Sequence, residues 1–116
     1  MDMISLTAVE LGKKIQAKEI SAREAAEAAF AQIDRVEADV HSYVTIDREG
    51  ALKRADEVQK LIDKGVLTGP LAGVPVAIKD NMCTKDMLTT CSSRILGDFK
   101  PTFTAEAVQN LEKAGA

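Results

Sequence analysis

Aromatic side chains are nearly missing from this chain of 116 residues, which has no Trp, one Tyr and three Phe. A core without large rings must be assembled from Ala, Leu, Ile and Val, and small side chains bring helix backbones close together. His41 is the only histidine, and Cys83 and Cys91 lie eight positions apart without a CxxC pairing. That set excludes a His/Cys metal cluster, and two dispersed cysteines are expected to stay free thiols in a reducing cytosol. Positive charge has no surplus either: 15 basic residues face 18 acidic ones, a formal net charge of −3. The two signs are interspersed as on solvated helix faces. With no basic block and no aromatic–basic stripe, the chain is not expected to grip a phosphate backbone by itself. No apolar run reaches membrane-spanning length, and the first residues show neither the basic nor the apolar region of a signal peptide.

What is present points to helices first. Apolar residues make up 46% of the chain, enough for one modest core in a small domain or part of a larger one. Thr7-Ala8-Val9-Glu10 and Ser21-Ala22-Arg23-Glu24 are capping boxes. In each, the hydroxyl accepts the amide three residues on, and the Glu carboxylate reaches back to the cap amide. They predict helices near 8–18 and 22–38, with Leu6 and Leu11 placed as a hydrophobic staple. Asp47 caps a third helix near 48–64, along which Ala51, Ala55, Val58 and Ile62 share a face, and Gly65 stands where a helix-stopping glycine belongs. Between the second and third helices, His41 to Ile46 is β-branched and aromatic and reads as a short extended stretch. His41 has no partner near it in sequence and reads as structural.

The composition changes at Gly69. Gly69-Pro70-Leu71-Ala72-Gly73 is a turn-rich link, and Val74-Pro75-Val76-Ala77-Ile78 reads as a buried strand, with Pro75 tolerated near its start or at an edge. Lys79-Asp80-Asn81 ends it in polar residues. From Met82 to Phe103 no period is visible. Thr104 then caps a last helix, 105–114, with Val108 and Leu111 on one face and Gly115 as its stop.

Lys79 is the residue singled out on physical grounds. At the end of an apolar strand its ammonium would be partly desolvated, which lowers a lysine's pKa and makes the neutral amine available as a base; the plainer alternative is a solvated strand end beside Asp80. Asp80 and Asn81 either hold Lys79 by hydrogen bonds or satisfy strand-end amides. Cys91 reads as a buried small hydrophobe, with a place in a site wall as the alternative.

The stretch Gly69-Pro-Leu-Ala-Gly-Val-Pro-Val-Ala-Ile-Lys-Asp-Asn81 resembles the lysine motif of the amidase signature family. The continuation Thr84-Lys-Asp-Met-Leu-Thr-Thr-Cys-Ser-Ser93 and the closing Ala107-Val-Gln-Asn-Leu-Glu-Lys-Ala-Gly-Ala116 are similar to the branch of that family forming the A subunits of bacterial glutamyl-tRNA(Gln) amidotransferases. The resemblance implies an α/β fold of the amidase-signature type: a helical N-terminal region over 1–68, then the first, truncated part of a mixed central sheet over 69–116. It implies a Ser–cis-Ser–Lys triad in which Lys79 is the catalytic lysine, supported by Asp80 and Asn81. Both serines of such proteins lie beyond position 116, so this piece is expected to be inert alone. Ser92 and Ser93 lack the glycines that shape the family's serine loop and read as loop hydroxyls or a helix cap. Asp86 stands where a glycine is common in the family, and Asp tolerates positive φ better than most residues.

The same resemblance implies glutamine as substrate and ammonia as product, used to convert Glu-tRNA(Gln) to Gln-tRNA(Gln) in the cytoplasm. The B and C subunits of the amidotransferase are the implied partners, with ATP and Mg handled through the B subunit, tRNA reached only through the complex, and no cofactor, metal or membrane contact in this chain. A stand-alone amide hydrolase of the same family is the nearest alternative. A non-catalytic helical module, packing its Ala-rich half on a partner, is another. An incomplete sheet also predicts self-association through Val74 to Ile78 or through Val108 and Leu111.

Overall fold

The computed structural model describes residues 2–116. Four α-helices form: α1 (Ala8–Gln16), α2 (Ala22–Val40), α3 (Arg48–Asp63) and α4 (Glu106–Lys113). Short 3-10 turns lie at Met3–Ser5 and Arg94–Leu96.

Local chemistry explains the helix ends. Both capping boxes form: the Thr7 amide donates to the Glu10 carboxylate at 2.8 Å, and the Ser21 amide donates to Glu24 at 2.8 Å. The reciprocal bonds from the Glu10 and Glu24 amides to the hydroxyls are 3.2 and 3.1 Å. α1 ends in a Schellman arrangement, with the Glu19 amide on the Lys14 carbonyl and the Lys18 amide on the Ile15 carbonyl, both at 3.0 Å. Lys18 occupies the left-handed position there, φ 60°. α3 starts on Asp47, whose carboxylate accepts the Gly50 amide at 3.0 Å, and stops the same way at Gly65, φ 72°.

Residues 41–46 are not extended into a strand, contrary to expectation. α2 runs on to Val40, and His41 closes it in the left-handed region at φ 50°. The Glu37 carboxylate then accepts the Ser42 hydroxyl at 3.0 Å and the Tyr43 amide at 2.7 Å, so the chain folds back on the helix end.

Leu11, Ile15, Ile20, Ala25, Val58 and Ile62 form the main core, joined by Ala72 and Val74 from beyond the helices. Leu6 packs against the same core as Leu11, as a staple requires. A second cluster is built of Ala22, Ala26 and Ala55. α1 lies so close to the link that a Cβ on Gly12 would stand 2.0 Å from the Pro70 carbonyl oxygen.

The expected strand at 74–78 is not formed, and no strand is present among the described residues. Val74 is buried as expected, but its amide turns back to the Leu71 carbonyl at 3.0 Å. Val76 is 44% exposed. A strand exists through a neighbour's amides and carbonyls, and no described segment offers them to 74–78. Val74 and Val108, expected at an interface between copies, are already buried within this chain.

α4 begins one residue later than expected, on Ala105, with no side-chain cap. The Thr104 hydroxyl accepts the Lys85 amide at 3.0 Å instead, and the Thr104 carbonyl takes the Gln109 side-chain amide at 2.7 Å. Gly115 stops the helix as expected, with the Ala116 amide on the Leu111 carbonyl at 3.0 Å. From α3, the Arg54 guanidinium donates to the Glu112 carbonyl at 2.6 Å, placing a cation at the negative end of α4.

Candidate active-site groove

The irregular segment from 79 to 105 is held by a few bonds between residues far apart in sequence. The Cys83 carbonyl accepts the Ala105 amide at 2.7 Å, the Phe99 carbonyl accepts the Thr89 amide at 3.1 Å, and the Pro101 carbonyl accepts the Asp86 amide at 3.2 Å. Asp86 sits at φ 63°, so the turn expected of a glycine survives with an Asp in its place.

Asp80 is the hub of this region. Its carboxylate accepts the Thr90 amide at 2.8 Å, the Thr90 hydroxyl through a short bond, and the Ser92 amide at 3.1 Å. Its main-chain carbonyl accepts the Cys91 amide at 2.8 Å. These donors hold the Asp80 carboxyl below the usual range, the Thr90 hydroxyl most, then the Thr90 amide, against a smaller opposing effect of desolvation. Cys91 and Ser92, the two residues so bound, both have left-handed backbone, with φ 51° and 56°.

A cavity of about 760 Å³ opens beside this hub. Residues 77–82 form one wall, the 87–92 region a second, and Ser42 to Thr45 a third. Lys79 lines it and is exposed, so the desolvation expected of a strand end is not met in this chain. Among the described residues it forms no ion pair.

The structure therefore brings Lys79, Asp80 and Asn81 to one cavity, but Asp80 does not hold Lys79: its carboxylate is taken up by the 90–92 turn. Asn81 is exposed at the rim. Cys91 corrects the reading of a buried hydrophobe: it is exposed and lines the cavity, because the turn that seats its amide on Asp80 leaves its side chain at the wall. Ser93 caps the 3-10 turn, accepting the Ile95 amide at 3.3 Å. Sequence reasoning missed Thr90 and the 42–45 wall. The only local trace of Thr90 is the unexplained polar pair Thr89-Thr90, since its bonds to Asp80 span ten residues; the 42–45 wall follows from the bonds of Glu37 to Ser42 and Tyr43.

Residues 24–116 match the amidase family. The A subunit of the glutamyl-tRNA(Gln) amidotransferase from Agathobacter rectalis is 67% identical over 115 residues, which is 99% of this chain and 23% of that protein. The corresponding A subunit from Lachnospira eligens is 58% identical over 116 residues, 100% of this chain and 24% of that protein. The chain thus spans about a quarter of the length of the curated relatives it matches. Among solved structures, the peptide amidase PAM in complex with the competitive inhibitor chymostatin superposes with a TM-score of 0.89 at 28% identity, covering 100% of this chain and 24% of that one. A vestigial protein complex bearing on the origins of an s-triazine catabolic enzyme gives 0.89 and 28%, over 96% of this chain and 24% of that one. The lysine motif, the helical approach to it and the match over most of the sequence agree: the chain belongs to the amidase family.

Proposed function

We propose that this chain is the lysine-bearing part of the A subunit of a glutamyl-tRNA(Gln) amidotransferase, the component that hydrolyses glutamine to supply ammonia. The observation that carries this reading is identity of 67% and 58% to two such proteins over essentially the whole chain. Residues 1–68 are its helical approach, and 69–116 begin the α/β core, where 74–78 joins a mixed sheet completed by the rest of a longer protein.

In this reading the Lys79 amine takes the proton of a bridging serine, which in turn takes the proton of a serine nucleophile. Both serines come from outside this chain. The nucleophile attacks the side-chain amide of glutamine, ammonia leaves, and water releases glutamate from the acyl-enzyme. Asp80 and Asn81 support Lys79. Ammonia passes to the B subunit, which acts together with the C subunit on Glu-tRNA(Gln) in the cytoplasm. ATP and Mg belong with the B subunit in the same reading. Within this chain, no three His, Cys, Asp or Glu side chains converge into a metal-binding group among the described residues, and Lys79 is the one cationic side chain in the cavity wall. No described helix is long and apolar enough to cross a membrane.

A second reading, a stand-alone amidase, draws on the likeness to the peptide amidase at 28% identity. Ammonia release by the full-length protein tests both. The first reading expects glutamine to be the substrate and Lys79→Ala to lower the rate at least ~10²-fold, about 2.7 kcal/mol of barrier. Turnover of peptide amides in preference to glutamine would favour the second, and near-normal activity of Lys79→Ala would remove the lysine from the mechanism.

A further inference from the structure

Thr90 is 6% exposed although polar, and both of its donors go to one residue. Its amide and its hydroxyl bond the two oxygens of Asp80, and the next two amides bond Asp80 as well, at its carbonyl and its carboxylate. Asp80 follows Lys79 directly, and the Lys79 carbonyl is itself tied to the Met82 amide at 3.0 Å. The backbone that follows the Lys79 side chain is therefore anchored twice, by its own turn and by a segment ten residues away. Two successive non-glycine residues at positive φ persist only where the surroundings over-determine them. The 89–93 stretch has other supports, the Thr89 amide on Phe99 and the Ser93 amide on Thr90. The Thr90 hydroxyl adds one bond inside the stretch, accepting the Ser92 amide at 3.2 Å, and among the described residues its one partner outside it is Asp80.

We propose that Thr90 is a positioning residue for the amidase reaction: by holding Asp80 through its hydroxyl and amide, it fixes the backbone that carries Lys79 and so places the lysine amine in the cavity. The inference rests on the reading of Lys79 as the base, and it adds a residue that touches neither substrate nor proton. A small displacement of a positioned base lowers the rate of the chemical step while leaving substrate binding largely intact.

Glutaminase kinetics of the full-length protein test it. Thr90→Val keeps the size, branching and amide but removes the hydroxyl. It is expected to lower kcat about 10-fold to 10²-fold, with the KM for glutamine held within about threefold. Thr90→Ser restores the hydroxyl and most of the rate. In an Asp80→Ala background, Thr90→Val is expected to have no further effect, because the two act as one unit. Full kcat in Thr90→Val, an equal loss in Thr90→Ser, or additive losses with Asp80→Ala would each overturn the proposal. Should Thr90→Val not fold, Asp80→Asn weakens the same bonds, and an unchanged kcat there overturns it equally. The two levels separate cleanly: activity in Lys79→Ala defeats the functional reading, whereas an inactive Lys79→Ala beside a fully active Thr90→Val defeats only the role of Thr90.

Discussion

The amide of Gly73 donates to the carbonyl of Gly115 across 2.8 Å, and both glycines have left-handed backbone, φ 82° and 88°. This bond ties the end of α4 to the link that carries Ala72 and Val74 into the helical core. A Cβ on Gly73 would lie 3.0 Å from the Ala22 Cβ and 3.1 Å from the Ile15 Cγ2. Gly73→Ala is therefore expected to lose about 2–4 kcal/mol in urea unfolding, from left-handed strain plus overpacking. A loss below about 0.5 kcal/mol would mean that the link can shift away from α1 and α2.

Gly12→Ala should be worse. Its Cβ would stand 2.0 Å from the Pro70 carbonyl oxygen, a main-chain atom that cannot swing aside as a side chain can. Because the helix and the link must part, a loss larger than that of Gly73→Ala is expected. Comparing the two unfolding midpoints at equal urea dependence settles the order.

Lys18→Gly is expected to stabilise the chain. Lys18 holds the left-handed stop of α1 at φ 60°, where only glycine avoids steric cost. Its ion pair to Asp63, at 3.9 Å between exposed groups, contributes little. Relief of strain, less the greater freedom of an unfolded glycine, leaves a gain of about 0.5–1 kcal/mol. Thermal unfolding should show a rise of a few degrees; a fall would mean that the lysine side chain contributes more than its geometry shows.

Acid is expected to weaken the fold through three carboxyls held below their ordinary values: Glu10 and Glu24 by the amides and then the hydroxyls of Thr7 and Ser21, and Asp80 by Thr90. Each has a folded pKa lower than its unfolded one, so the unfolded chain takes up more protons as pH falls. The stabilisation is complete above the ordinary values of 4.5 for Glu and 3.8 for Asp and is lost as pH drops through the lower folded values. Urea unfolding from pH 7 downward should show this decline, and Glu24→Gln should make it shallower. An unchanged slope would mean that the Ser21–Glu24 box is not formed in solution.

The chain alone is expected to associate at micromolar concentration. Ile95 is 91% exposed, Phe103 61% and Val76 44%, and the main-chain groups of 75–78 find no partner among the described residues. Light scattering should report species larger than one chain, reduced by Ile95→Lys with Phe103→Lys. A clean monomer would show that these side chains are tolerated in water.

Helices were legible because their signals are local. Thr7 with Glu10, and Ser21 with Glu24, act within three residues, so the pattern and the bond coincide. The strand at 74–78 was not, because a strand exists only through a neighbour's amides and carbonyls, which no described segment supplies, and apolar character specified burial only for Val74. Thr104 misled for a related reason: its hydroxyl has a choice between the first turn of α4 and the Lys85 amide, nineteen residues away, and takes the distant one. At the site, the motif pointed to Lys79 and Asp80 by resemblance. The arrangement that binds Asp80 to Thr90 rather than to Lys79 carries no local signal.

The cluster of Ala22, Ala26 and Ala55 makes the chain lopsided in its tolerance of mutation. At these three positions the side chains are already near the smallest available, so deletion has almost nothing to remove and leaves little void. Enlargement is different: each added methylene must push two helix backbones apart. Substitutions larger than Ser at these three positions are expected to destabilise the fold. Engineering for stability is better directed to caps and helix stops, since a larger side chain at this cluster would meet the facing helix.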